Sequence, residues 1–201
     1  MRKTRRVRIT AVALVTAMVV LVTITGCGLQ TEQANRDIAL AAQHQQEAEA
    51  ILAHFKNFAA EWEAIFNVPR IGPDQVTRAR QLLQARGQDL DAMEAALKEW
   101  EQDFRAISSL NVEEKIKEYV RLKLSAIRCY SDYMAGSLRP ILKTYEGLVE
   151  LIAQGRPEAK LDETAMEIAG LVTESREKLE GCHDAEKQAQ EYFEENKLGK
   201  Q

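Results

Sequence analysis

Four runs of mainly apolar residues, spaced alternately by three and four positions, constrain this chain more than any other feature. The first reads Ile38, Ala41, Gln45, Ala48, Leu52, Phe55, Ala59, Trp62, Phe66. The second is Val76, Ala79, Leu83, Arg86, Leu90, Met93, Leu97, Trp100, Phe104, Ile107, and the third Val120, Leu124, Ile127, Ser131, Met134, Leu138, Ile141, Tyr145, Leu148, Ile152. The fourth is Leu161, Ala165, Ile168, Val172, Ser175, Leu179, Cys182, Glu186, Ala189, Phe193. Such spacing holds one face of a helix against its neighbours over the whole length. The predicted fold is therefore all-α: a long antiparallel up-down-up-down four-helix bundle, coiled-coil-like, over residues 36–201.

The breaks between the runs agree with this reading. Asn67-Val68-Pro69-Arg70-Ile71-Gly72-Pro73 cannot continue a helix. Asn111 with Glu114 predicts a capping-box start to the third helix, and Gly155-Arg156-Pro157 predicts its end. The loops are short, so successive helices run antiparallel. Inside the third run, Pro140 follows Gly136 by four positions and predicts a kink or break there, as a packing accommodation or as a hinge. Ile51, Phe58 and Ile65 recur every seven residues beside the first run and widen its apolar face.

The N-terminus has a different character. Arg2, Lys3, Arg5, Arg6 and Arg8 precede a largely apolar stretch from Ile9 to Ile24, and Thr25-Gly26-Cys27 follows. A basic start, an apolar middle and a small-residue exit make a secretory signal. Ile24-Thr25-Gly26-Cys27 resembles the lipobox of bacterial lipoproteins. The resemblance implies a signal peptide over residues 1–26, diacylglycerol on the Cys27 sulfur, a lipidated tether over residues 27–35, and anchorage on the extracytoplasmic face of the cell membrane. The alternative is an uncleaved anchor: residues 9–31 are uncharged and long enough to span a bilayer. Either arrangement places residues 32–201 outside the cytoplasm.

Charge narrows the partners. The full chain carries a net charge of −4. With the five bases of residues 1–26 set aside, 22 bases face 31 acids, a balance of −9. Such a surface repels phosphate backbones, so nucleic acid is not an expected partner.

Two cysteines remain beyond Cys27. Cys129 lies 27 residues before the turn near residue 156 and Cys182 lies 26 after it, so an antiparallel hairpin sets them at one height. Cys182 is on the fourth run, but Cys129 lies opposite the third, beside Leu122, Ala126 and Tyr133. A bridge forms if the fourth helix covers that second face. Otherwise the two stay separate thiols.

No catalytic constellation stands out, and no enzyme activity or cofactor is implied. The chain lacks a phosphate-binding glycine loop and a nucleophile elbow. Its histidines are His44, His54 and His183. Glu180 and His183 form the helical E-x-x-H spacing of di-iron bundles, but once, where two copies are needed. They read as a weak metal candidate or as a solvated acidic face. Trp62, Trp100, Phe55 and Phe104 lie on the runs and read as core.

A lipobox followed by long Glu/Lys-rich helices, with Tyr119, Tyr130, Tyr133 and Tyr145 spaced along one of them, loosely resembles the helical lipoproteins of Gram-positive bacteria that are thought to bind cell wall. That likeness implies a non-catalytic spacer or interaction module with an envelope protein or cell-wall partner, and transfers no binding residue. The other expectation is a small-molecule or metal-binding sensor or carrier. A cavity between helices near Pro140, lined by Tyr130 or Tyr133, would favour it over a solid spacer.

Overall fold

The computed structural model describes residues 30–199. Cys27, the lipobox and the rest of residues 1–29 lie outside them. Among the described residues six α-helices and one π-turn make four limbs. The first limb is α1 (Thr31–Lys56) with α2 (Phe58–Phe66), and the second is α3 (Pro73–Ser108). The third is α4 (Glu114–Tyr133), the π-turn Met134–Leu138 and α5 (Arg139–Ala153); the fourth is α6 (Glu158–Glu195). Successive limbs run antiparallel, which is the expected bundle. Among the described residues there is no strand, and no helix is long and apolar enough to cross a membrane.

The second run is buried almost throughout, from Val76 to Ile107. Its one charged member, Arg86, is nearly covered and pairs with Glu61 at 2.6 Å and Asp89 at 2.5 Å. Burial opposes the charge of Arg86, but the hydrogen bonds it donates to Glu61 and Asp89 outweigh that and hold its pKa above the ordinary value. Pro73 opens α3 at a position where no N–H is needed, and the Gly72 N–H donates to Gln75 Oε1 at 3.0 Å.

The first limb departs from its predicted pattern at Asn57, which interrupts the helix for one residue. Beyond it the buried face moves from the Ala59 register to Phe58 and Ile65, while Ala59 is exposed and Trp62 and Phe66 are partly buried. The helix also starts earlier than a tether over residues 27–35 allows. Thr31 is already helical and Ala34 is fully buried. The Gln30 N–H donates to the Asn111 carbonyl at 2.7 Å, and the Asn111 N–H to Gln30 Oε1 at 3.0 Å. These bonds tie the start of the first limb to the loop between the second and third. The capping box at Asn111 is displaced too: α4 begins at Glu114, and its cap residue Glu113 makes no side-chain capping bond.

The third limb passes through Pro140 without breaking. The Arg139 N–H reaches back to the Met134 carbonyl, so the wider π-turn absorbs the bonding shift just before a residue that has no N–H to give. At its far end the Arg156 and Gly155 N–H groups donate to Leu151 and Ile152, with Gly155 at φ +61°, closing α5 as a Schellman turn.

The third limb buries two faces. Val120, Ile127 and Met134 of the predicted run are buried, and Leu122, Ala126 and Tyr133 are buried as well. That second face is the one the fourth limb covers. Cys129 and Cys182 accordingly stand at disulfide-bonding distance, their Cα atoms 5.3 Å apart. A bridge across this sequence separation of 53 residues restricts the unfolded chain, worth about 4 kcal/mol on the chain-entropy account. Replacing both cysteines by alanine should lower the unfolding free energy by several kcal/mol in a urea titration with the helical signal retained; an unchanged midpoint would show that the pair does not tie the hairpin.

Candidate functional site: a groove between the first and fourth limbs

The fourth run divides into two sets. Ile168, Ser175, Cys182 and Ala189, seven residues apart, are the buried residues of α6, and they form a narrow seam on the third limb. The alternate members Val172, Leu179, Glu186 and Phe193 line the gap between α6 and α1 instead. Val172 is 38% exposed although it holds a core position in the pattern. The gap is a groove floored by the third and second limbs.

The groove has three compartments. The apolar one, about 340 Å³, lies between Leu52, Phe58, Leu142, Tyr145, Val172 and Leu179, with Lys56 and Arg176 at its rim. Phe58 and Trp62 pack edge-on against Tyr145 at 4.9 and 4.4 Å and shape its wall. It adjoins the π-turn, where Leu138 and Tyr133 contribute. The middle compartment, about 530 Å³, shares Leu52 and Lys56 with it and adds Tyr130, His183 and Glu186. The third, about 350 Å³, shares Gln45 and Gln190 with the middle one and is walled by Ile38, Trp100, Phe104, Tyr119 and Phe193. Because Asn35 and Ile38 line it, this third compartment is the one near the N-terminal end of the first limb.

A buried charge divides the floor. Lys123 is 3% exposed and ion-paired with Glu186, and its Nζ donates to Gln45 Oε1 at 3.0 Å. Gln45 in turn donates to Glu186 Oε1 at 3.1 Å and Glu49 Oε1 at 2.8 Å. The ammonium also lies 5.4 Å from the Trp100 ring centre and 5.9 Å from that of Tyr119. A lysine so far from water persists only where partners compensate its lost hydration. Glu186 Oε2 and Trp100 Nε1 remain buried without a hydrogen-bond partner.

Burial pushes the phenols of Tyr119 and Tyr130 well above their ordinary pKa, and the charge of Glu186 pushes them the same way. Burial likewise raises Tyr133, against a hydrogen bond with Ser175 at 3.3 Å that lowers it. These tyrosines therefore line the groove in their neutral form. The stability tied to their neutrality is full below pH about 10, the unfolded value, and is lost as pH rises towards the folded values.

Of the residues predicted from sequence, Cys129 and Cys182 are brought together. Glu180 and His183 are exposed on α6; the His183 ring centre lies 6.2 Å from that of Tyr130. Among the described residues they belong to no group of three metal-ligating side chains. The Gln45–Lys123–Glu186 network was not predicted. Its signal was nevertheless present, since Gln45 and Glu186 are polar members of the first and fourth runs, and Lys123 stands midway between Ile116 and Tyr130 at a seven-residue spacing.

Lys123→Met should cost about 3–5 kcal/mol in urea unfolding, because it strands Glu186. Adding Glu186→Leu should recover most of that loss. A double variant no more stable than the single one would show that the network is not a coupled unit. Compared with protein-family models, with curated proteins and with solved structures, the chain shows no significant match.

Proposed function

We propose that this protein is a non-catalytic, extracytoplasmic lipoprotein, tethered through Cys27, that carries an amphipathic ligand in the groove between its first and fourth limbs. The observation that carries the reading is the divided fourth run: side chains at core positions of a heptad pattern face open space. Apolar surface left uncovered in this way marks a binding site more often than idle exposure.

The chemistry of the lining selects the ligand class. The apolar compartment accepts a hydrocarbon chain. Lys56 and Arg176 at its rim make no ion pair among the described residues, in a protein whose net charge is negative. They supply counter-charge for an acidic head. A single-chain anionic amphipath of the fatty-acid type meets both conditions. Tethering at Cys27 would set the aromatic compartment nearest the membrane, and α3, about 54 Å long at 1.5 Å per residue, would project the remainder outward. The rigid bundle is then a spacer as well as a carrier, and an envelope protein or the cell wall is the partner reached by its far end.

The test is titration of the mature chain, with Cys27 replaced by serine, against a fluorescent long-chain fatty acid. Saturable one-to-one binding is expected. Val172→Trp should weaken it at least tenfold by filling the compartment, and Val172→Ala should not, both with unchanged helical content. Absent or non-saturable binding, or equal affinity in Val172→Trp, would contradict the reading. Mass spectrometry of the membrane fraction should find the chain starting at a diacylglyceryl-modified Cys27; residues 1–26 still attached and an unmodified thiol would remove the tether.

A further inference from the structure

We propose that the outer face of the first and second limbs holds a divalent transition-metal site of the zinc class, formed by His44, Glu47 and Glu99 and oriented by Asp103. It is separate from the groove and independent of the ligand assigned there.

His44 and Glu47 are three residues apart on α1, and Glu99 and Asp103 four apart on α3, so each pair shares one helix face. The two limbs pack with the faces opposed: one ligating atom each from His44, Glu47 and Glu99 lie within 4.8 Å of one another. His44 Nδ1 is 2.9 Å from Asp103 Oδ2, and Nε2 is 3.5 Å from Glu99 Oε2. A histidine whose Nδ1–H is held by a carboxylate presents the Nε2 lone pair outward, in the tautomer and orientation that metal-ligating histidines adopt. The imidazole is mostly covered, its side chain 22% exposed, while Glu99 is 60% exposed. The nitrogen is thus fixed and the carboxylates can turn. Donors around a tetrahedral ion stand about 3.3 Å apart, given bonds near 2.0–2.2 Å. Rotation of the two exposed carboxylates closes the difference.

Charge supplies a second argument. Elsewhere in the bundle several acids meet arginines: Asp91 and Glu94 pair with Arg139, Glu61 and Asp89 with Arg86, and Glu150 with Arg80. Around His44 three carboxylates converge on one imidazole, and among the described residues none of the three pairs with a lysine or arginine. A divalent ion neutralises that excess. One imidazole with two carboxylates suits zinc and its neighbours better than calcium or magnesium, which favour all-oxygen shells. Water would complete the coordination, leaving an open site rather than a closed structural one.

The site is grounded in firm packing. Ala41 and Ala48, one turn to either side of His44 along the same side of α1, are buried, and the buried Ala96 and Trp100 lie close to Glu99 in sequence. Donors carried by such helices hold their spacing better than donors on loops.

The full chain in detergent micelles, stripped with a chelator, should bind one zinc ion in calorimetry. His44→Ala should weaken binding at least tenfold, and Asp103→Asn by about tenfold through loss of orientation. Glu47→Gln, at an exposed position that cannot disturb the core, should also weaken it, and His183→Ala should not change it. Helical content is measured for each variant. Absence of one-to-one binding, equal affinity in both His44→Ala and Glu47→Gln, or loss confined to His183→Ala would overturn the site.

Discussion

The third limb buries two faces at once, and the rest of the bundle is arranged around that demand. One face, with Val120, Ile127 and Met134 buried on it, packs on the second limb. The other meets α6 at Tyr133, bonded to Ser175, and at Cys129, beside Cys182. The first limb packs on the second, the fourth packs on the third, and the first and fourth face each other across a gap. A four-membered ring of limbs with one loose side follows from ordinary apolar burial. The groove is the loose side.

The fourth limb is held accordingly. Its seam of Ile168, Ser175, Cys182 and Ala189 includes two small residues and one polar one. Such a seam buries much less apolar area than α3 does with Leu90, Met93, Leu97, Trp100 and Phe104. The Cys129–Cys182 pair lies in the middle of it, and the ion pair between Lys123 and Glu186 lies just beyond. Covalent and polar ties compensate where apolar contact is thin, which is how a wall can stand beside an open groove without collapsing into it.

Much of this was legible in the sequence. The second run matches the buried set nearly residue for residue because α3 is covered along its length. Pro140 marked the irregular turn, and the near-equal distances of Cys129 and Cys182 from the turn at residue 156 marked their pairing. Other features were not legible, for physical reasons. Periodicity reports which face is apolar but not what covers it, so Val172 and Leu179 read as core while lining a gap. Asn57 shifts the register by a local change in bonding that no apolar spacing reveals. Thr31 to Asn35 read as tether because the contacts that order them, with Asn111, come from a distant part of the chain. The cluster at His44 joins two stretches 55 residues apart, and neither His44-x-x-Glu47 nor Glu99-x-x-x-Asp103 is distinctive alone.

The fourth limb is a separately held wall, attached by a thin seam and the cysteine pair. Amide hydrogen exchange, followed by peptide mass spectrometry with and without reductant, tests it most directly. Reduction is predicted to accelerate exchange selectively in α6, Glu158–Glu195, and to leave α3 and the α3-facing part of α4 protected. Uniform acceleration across all four limbs, or none in α6, would contradict the account.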